Sequence, residues 1–167
     1  MPVNRKRPSI HVSVVAASAV SSWLVLTPKQ APLLIYNGSE SVPVGMYSIN
    51  HARPNRRDLV LVRPWPELAG MLATHDILPP GVPLLKTVAA LTDDNVCRNG
   101  SDISINGMVV AKILNLDAKG RVLSGWSDCR KLVRGELFLL QPHPRSFDSR
   151  YFGPALSCDV IGVARPI

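Results

Sequence analysis

A chain of 167 residues has room for one domain with its own core, and it needs no disulfide merely to fold. Aromatic residues make up 5%, against Pro 15 and Gly 11, which disfavours a helical bundle and favours short strands joined by turns. The formal charge of +7 is scattered, and no basic stripe alternates with aromatics, so nucleic acid is not an expected partner.

The only dense basic cluster, Arg5-Lys6-Arg7, precedes an uncharged run from Ile10 to Thr27. As a helix this run would be about 27 Å long, enough for a thin hydrocarbon core. Trp23 lies near its far end, and Pro28 and Lys29 stop it. Basic residues ahead of the run predict a cytoplasmic N-terminus and an exported remainder. Residues 1–29 are therefore read as a basic tip and a signal-anchor, and 30–167 as the exported domain. A cleaved signal peptide with Ala17-Ser18-Ala19 as its small-residue site would also export the domain; a buried core helix is the third reading.

In the exported part, "VGMYSI" (44–49) and "DLVLVR" (58–63) read as strands. "WPELAGMLATH" (65–75) reads as a short helix stopped by Pro79-Pro80-Gly81. "PLLKTVAAL" (83–91) is a strand-like apolar run. "DISINGMVVAKI" (102–113) is a hairpin, because Asn-Gly is the preferred type I′ turn pair. "ELFLLQ" (136–141) and "DVIGVAR" (159–165) are further strands. The expected fold is mainly β, an antiparallel sheet or open barrel.

Cys97, Cys129 and Cys158 show no metal-type spacing, so zinc is not expected. Three cysteines in an oxidising compartment suggest one bridge and one leftover thiol, with Cys97–Cys129 as the chosen pair. Three free buried thiols are the alternative.

Three segments carry chemistry. In "NGSESVPVGMY" (37–47), Pro43 stiffens the chain beside Ser41, and Gly45 permits close approach of backbone. A nucleophilic serine must be exposed, rigid and near an oxyanion donor. Ser39 offers a second hydroxyl beside the Ser41 N–H; a plain turn is the simpler account. On a strand, Lys86 shares a face with Leu84 and Val88, and no acidic residue lies between Asp76 and Asp93. Burial of such a lysine lowers its pKa and makes it a base for a serine hydroxyl; a snorkelling edge lysine is the alternative. In "HPRSFDSRYFG" (143–153), Asp148 and Arg150 suit an ion pair and Ser146 could orient an amine. A Ser41–His143–Asp148 triad is conceivable, but it leaves the apolar setting of Lys86 unexplained.

The order of these segments behind an N-terminal anchor resembles the type I signal peptidases, most closely the TraF-type peptidases of conjugative transfer. The marks are "NGSESVPVGMY", "PLLKTVAAL" followed by Asp93-Asp94, "ISINGMVV", "SFDSRYFGP" and the closing "DVIGVARP". By that resemblance Ser41 is the nucleophile and Lys86 the general base. Ser39 supports the oxyanion, Ser146 orients the lysine, and Asp148 supports with Arg150 as its partner. The chain departs from the wider pattern in three ways: Val42 follows the serine where Met is usual, Pro43 comes one residue sooner, and "LTDDNV" replaces the "PGD" turn. Cys158 lies outside the pattern, and there is no room for the extra β-domain of some signal peptidases.

The resemblance implies a cofactor-free serine peptidase in the bacterial inner membrane, single-pass, with its catalytic domain in the periplasm. Its expected substrate is a pilin precursor, released by hydrolysis or cyclised by transpeptidation, alongside the proteins of a conjugation or type IV secretion apparatus. A general signal peptidase acting on many preproteins, and a non-catalytic envelope β-domain of a secretion channel, are the rival readings.

Overall fold

The computed structural model describes residues 33–123 and 125–167. The expected basic tip and membrane segment at 1–29 lie outside the described residues. Among those described, no helix is long and apolar enough to cross a membrane.

The described strands are β1 (Leu33–Asn37), β2 (Gly45–Asn50), β3 (Leu59–Val62), β4 (Leu84–Ala90), β5 (Asn95–Asn99), β6 (Asp102–Ile105), β7 (Met108–Lys112), β8 (Asp128–Lys131), β9 (Glu136–Leu140), β10 (Ala155–Leu156) and β11 (Val160–Pro166). They form two sheets, one of seven strands in the order β1-β2-β11-β3-β4-β9-β10 and one of four in the order β7-β6-β5-β8. Neighbours pair antiparallel throughout. The fold is thus mainly β, with its strands divided between two sheets.

Position in the sheet follows from sequence pattern. β3 (LVLV) and β9 (ELFLL) are nearly unbroken apolar runs and lie inside the large sheet. β2 alternates instead: Tyr47 and Ile49 are buried while Met46 and Ser48 face outward. The β6–β7 hairpin turns at Asn106 (φ 50°) and Gly107 (φ 82°), the two left-handed residues that a type I′ turn requires. Asn106 also ties the turn sideways, donating to Asp94 Oδ1 at 2.7 Å and accepting from the Asn95 N–H at 2.8 Å. Gly162 has a different role, since a Cβ there would collide with the Asn50 carbonyl where β11 crosses β2.

Helix α1 (Pro66–Thr74) starts with proline in its first turn and buries Leu68 and Leu72, one turn apart. It ends several residues before the expected Pro79-Pro80-Gly81 stop. Asp76 adopts φ 50°, and its carboxylate takes Lys119 and Arg121, each at 2.9 Å, so a long-range ion cluster closes the helix. The core lies in three buried clusters. The largest joins α1 and the small sheet to β4 and β9 through Leu68, Leu72, Val96, Ile103, Phe138 and Phe147. Another, with Val42, Tyr47, Ile49, Leu61, Leu85 and Ala164, lies beneath the β1–β2 turn.

In the small sheet Cys97 on β5 stands opposite Cys129 on β8, and a disulfide joins them with the Cα atoms 4.0 Å apart. Cys158 is exposed and free. The bridge closes a loop with sequence separation 32. Replacing Cys129 by Ser is expected to lower unfolding free energy by about 3–4 kcal/mol on the loop-entropy model. Urea titration of the oxidised full-length protein against the variant checks this.

Candidate active site

The β1–β2 connection, residues 38–44, is a constructed turn. Asn37 is its organiser: Nδ2 donates to the carbonyls of Ser39 (2.9 Å), Val42 (3.0 Å) and Pro43 (3.1 Å), and Oδ1 accepts from the Ser39 N–H at 3.1 Å. Tyr47 Oη donates to the Pro43 carbonyl at 2.7 Å, and Val42 is buried in the core. Ser41 is thereby held half-exposed on a braced backbone. Its Oγ is 3.0 Å from Ser39 Oγ, and its N–H donates to Ser39 Oγ at 3.3 Å. The two hydroxyls and the Ser41 N–H thus form one polar group at the turn's crest.

Lys86 lies on β4, which runs between β3 and β9 and is not an edge strand. Its cross-strand partner is Val60, and Leu84 and Val88 flank it on the same face, so the side chain is only 5% exposed. Nζ donates to Ser146 Oγ at 3.0 Å. Burial pushes the amine down from 10.5 to about 8; Asp148 partly opposes this and Arg150 adds to it.

Ser146 is itself buried, on a loop held by an ion pair. Asp148 and Arg150 are 0% and 2% exposed. Asp148 Oδ1 accepts from Arg150 Nε at 2.9 Å, and Oδ2 from Arg150 Nη2 at 2.8 Å and from the Gln141 N–H at 3.0 Å. Arg150 Nη2 also donates to the carbonyls of Gln141 (2.8 Å) and His143 (3.0 Å). One guanidinium thus gathers both ends of the 141–150 loop against β9, and the loop sets Ser146 beside Lys86. Asp148 further caps the short helix α2 (Ser149–Phe152) by accepting the Arg150 N–H at 3.1 Å.

The Ser41–His143–Asp148 alternative is not assembled. The Asp148 carboxylate is engaged by Arg150 and the Gln141 N–H, while His143 Nδ1 accepts from the Arg145 N–H at 3.2 Å.

Ser39, Ser41, Lys86 and Ser146 line one cleft of about 1170 Å³. Leu61, Leu85, Pro83 and Phe147 give it apolar walls. Its far side is the 114–123 loop, tied to the end of α1 through His75 Nδ1 and Asp117 Oδ2 at 3.1 Å. Lys86 and Ser41 therefore border a common space, with the lysine amine bonded to Ser146 rather than to Ser41. Among the described residues, no group of His, Cys, Asp and Glu is placed to hold a metal ion.

Asn37, Tyr47 and Gln141 also shape the site and were not among the expected site residues. Asn37 reads locally as an ordinary turn residue, and nothing in the sequence marks its three carbonyl contacts. Gln141 follows an apolar strand and carries no motif.

A protein-family model described as "Signal peptidase, peptidase S26" matches residues 8–167. The chain is 32% identical to the conjugal transfer protein TraF of Agrobacterium fabrum (strain C58), covering 78% of this chain and 80% of that one. It is 29% identical to the plasmid transfer protein TraF of Escherichia coli, with the same two coverages. Among solved structures it is similar to a signal peptidase I of Enterococcus faecalis V583, at 20% identity and a TM-score of 0.41, covering 68% of this chain and 98% of that one.

Proposed function

This chain belongs to the peptidase S26 family of signal peptidases, and on that premise we propose that it is a membrane-anchored serine endopeptidase with a Ser41–Lys86 dyad. Its substrate in this reading is a pilin precursor of a conjugative transfer system, as the likeness to two conjugative TraF proteins suggests. The domain stands in the periplasm, held at the inner membrane by the N-terminal segment.

One observation carries the catalytic part. A lysine buried at 5% exposure, with its pKa lowered to about 8, opens on the same cleft as a serine fixed in a braced turn. Neutral Lys86 takes the Ser41 proton as Oγ attacks the scissile carbonyl. Ser146 holds the amine in place, so that its lone pair is free for the serine. The Ser41 N–H and the Ser39 hydroxyl receive the oxyanion, exchanging their mutual hydrogen bond for bonds to the substrate oxygen. The lysine ammonium then protonates the leaving amine. Water resolves the acyl-enzyme by hydrolysis, and an amine held in the site resolves it by transpeptidation.

The test is intact-mass analysis of a candidate pilin precursor co-expressed with this protein in membranes. Processing to a single linear product is expected for hydrolysis. A product lighter than that by about 18 Da, one water, identifies cyclisation. Processing of many exported precursors, with the pilin left uncut, would favour a general secretory role instead.

A further inference from the structure

Two hollows meet at Ser41. One is the large cleft; the other, of about 680 Å³, has Val42, Pro43, Tyr47 and Leu59 among its walls. Only Ser41 and His143 line both. A substrate whose scissile carbonyl sits at Ser41 therefore lies at a border that His143 shares. No step of the mechanism above uses this histidine.

His143 is exposed, yet the fold holds it in place. Pro142 and Pro144 flank it and narrow its backbone choices. Its carbonyl accepts from the Ser146 N–H at 3.0 Å and from Arg150 Nη2 at 3.0 Å. Its ring is pinned as well, because Nδ1 accepts from the Arg145 N–H at 3.2 Å. That bond sets the tautomer of the neutral ring: with the lone pair on Nδ1, the proton is on Nε2. Among the described residues, Nε2 has no hydrogen-bond partner. A ring fixed in this way is a donor and not a base. Freeing a lone pair on Nε2 would put the proton on Nδ1, against the Arg145 N–H.

A substrate backbone offers one carbonyl acceptor per residue, whatever its side chains. We propose that His143 is a substrate-binding residue of this site, its Nε2–H donating to a main-chain carbonyl of the peptide beside the scissile bond. The contact reads main chain rather than side chains, so it aligns the peptide on Ser41 without selecting its sequence. The inference rests on the serine-peptidase reading above.

The experiment measures cleavage of the pilin precursor, and of a synthetic peptide spanning its cut, by the full-length protein in detergent. The readout is KM, which does not depend on the folded fraction. Two variants separate a donor from a residue that merely braces its loop. His143→Asn puts an amide oxygen where Nδ1 accepts the Arg145 N–H and leaves no donor at the Nε2 position. His143→Gln puts an amide N–H near the Nε2 position and gives up the ring's bond to Arg145. For a substrate donor, Asn is expected to raise KM about tenfold with a smaller change in kcat, the loss of one hydrogen bond to substrate, and Gln to recover most of it. A bracing role reverses that ranking, with Asn close to wild type and Gln impaired. The reverse ranking, or the same KM in both variants, overturns the assignment while leaving the peptidase reading intact. If wild type cuts neither precursor nor peptide, the serine-peptidase reading falls and takes this inference with it.

Discussion

Replacing Ser41 by Ala, or Lys86 by Met, is expected to lower kcat on a cleavable precursor by about 10⁴-fold or more, the scale on which nucleophile–base units fail. The double variant should be little worse than either single one, because a base without its nucleophile has nothing to activate. Intact-mass assay of precursor processing in membranes measures both effects. A serine-directed covalent probe should label wild type and not Ser41→Ala. Full processing by both variants would reduce the 37–47 segment to a turn.

The pH dependence follows from the buried amine. Lys86 acts as a base only when neutral, and its pKa is held near 8 by desolvation. kcat/KM should therefore rise with pH through about 8 and level off above it. The stability of the protein moves in the same direction. Below pH 8 the lysine is charged in both folded and unfolded states, and the folded state carries the full penalty of burying it. Between 8 and 10.5 the unfolded chain holds the proton more tightly than the folded one, so wild type gains stability as pH rises. Lys86→Met removes this slope. At pH 7 it is expected to be more stable than wild type by up to about 3 kcal/mol, with the difference vanishing toward pH 10.5. Urea titrations at the two pH values check it. A catalytic group that weakens the fold is what desolvating a base entails.

The second large effect lies at Asp148–Arg150. Either Asp148→Ala or Arg150→Ala is expected to lower unfolding free energy by about 3–5 kcal/mol, because each leaves a buried charge without its partner. Thermal unfolding in detergent should show Tm lower by roughly 10 °C or more. Removing Arg150 also strips donors from the Gln141 and His143 carbonyls, so Arg150→Ala should be the worse of the two. The joint variant Asp148→Leu/Arg150→Met, which removes both charges and keeps bulk, should recover part of the loss. If each single variant unfolds within about 1 kcal/mol of wild type, the pair does not hold the loop as argued. The ion pair also bears on the site, since it secures the loop that places Ser146 against Lys86.

The strands with a strong local signal were legible from the chain alone. β3, β4 and β9 are apolar runs, β2 alternates, and Asn106-Gly107 names its own turn. The resemblance carried by the serine, lysine and 146–153 segments marks the family from the chain alone. Strands escaped notice for two reasons: a polar pattern, or an apolar run with no alternation to mark it. β5 (NVCRN) and β8 (DCRK) are polar and charged, and they exist because each has a partner edge and a disulfide between them. β1 carries three exposed large apolar side chains, Leu33, Leu34 and Tyr36, and shows no alternation to set it apart.

For the site, the sequence by itself determined the chemical types and their order. It supplied a serine beside proline, a lysine among aliphatic residues with no local acid, and a polar loop with an ion-pairing Asp and Arg. Tertiary structure alone decided what those groups meet. Lys86 and Ser146 are 60 positions apart, and the burial that lowers the lysine's pKa comes from strands and loops packed around β4. Asn37 and Gln141 became visible only through their contacts, because an amide's role depends on which carbonyls the fold brings within about 3 Å. Composition and period record what a residue can do. Burial and partnership are properties of the folded chain, and they decide whether it is done.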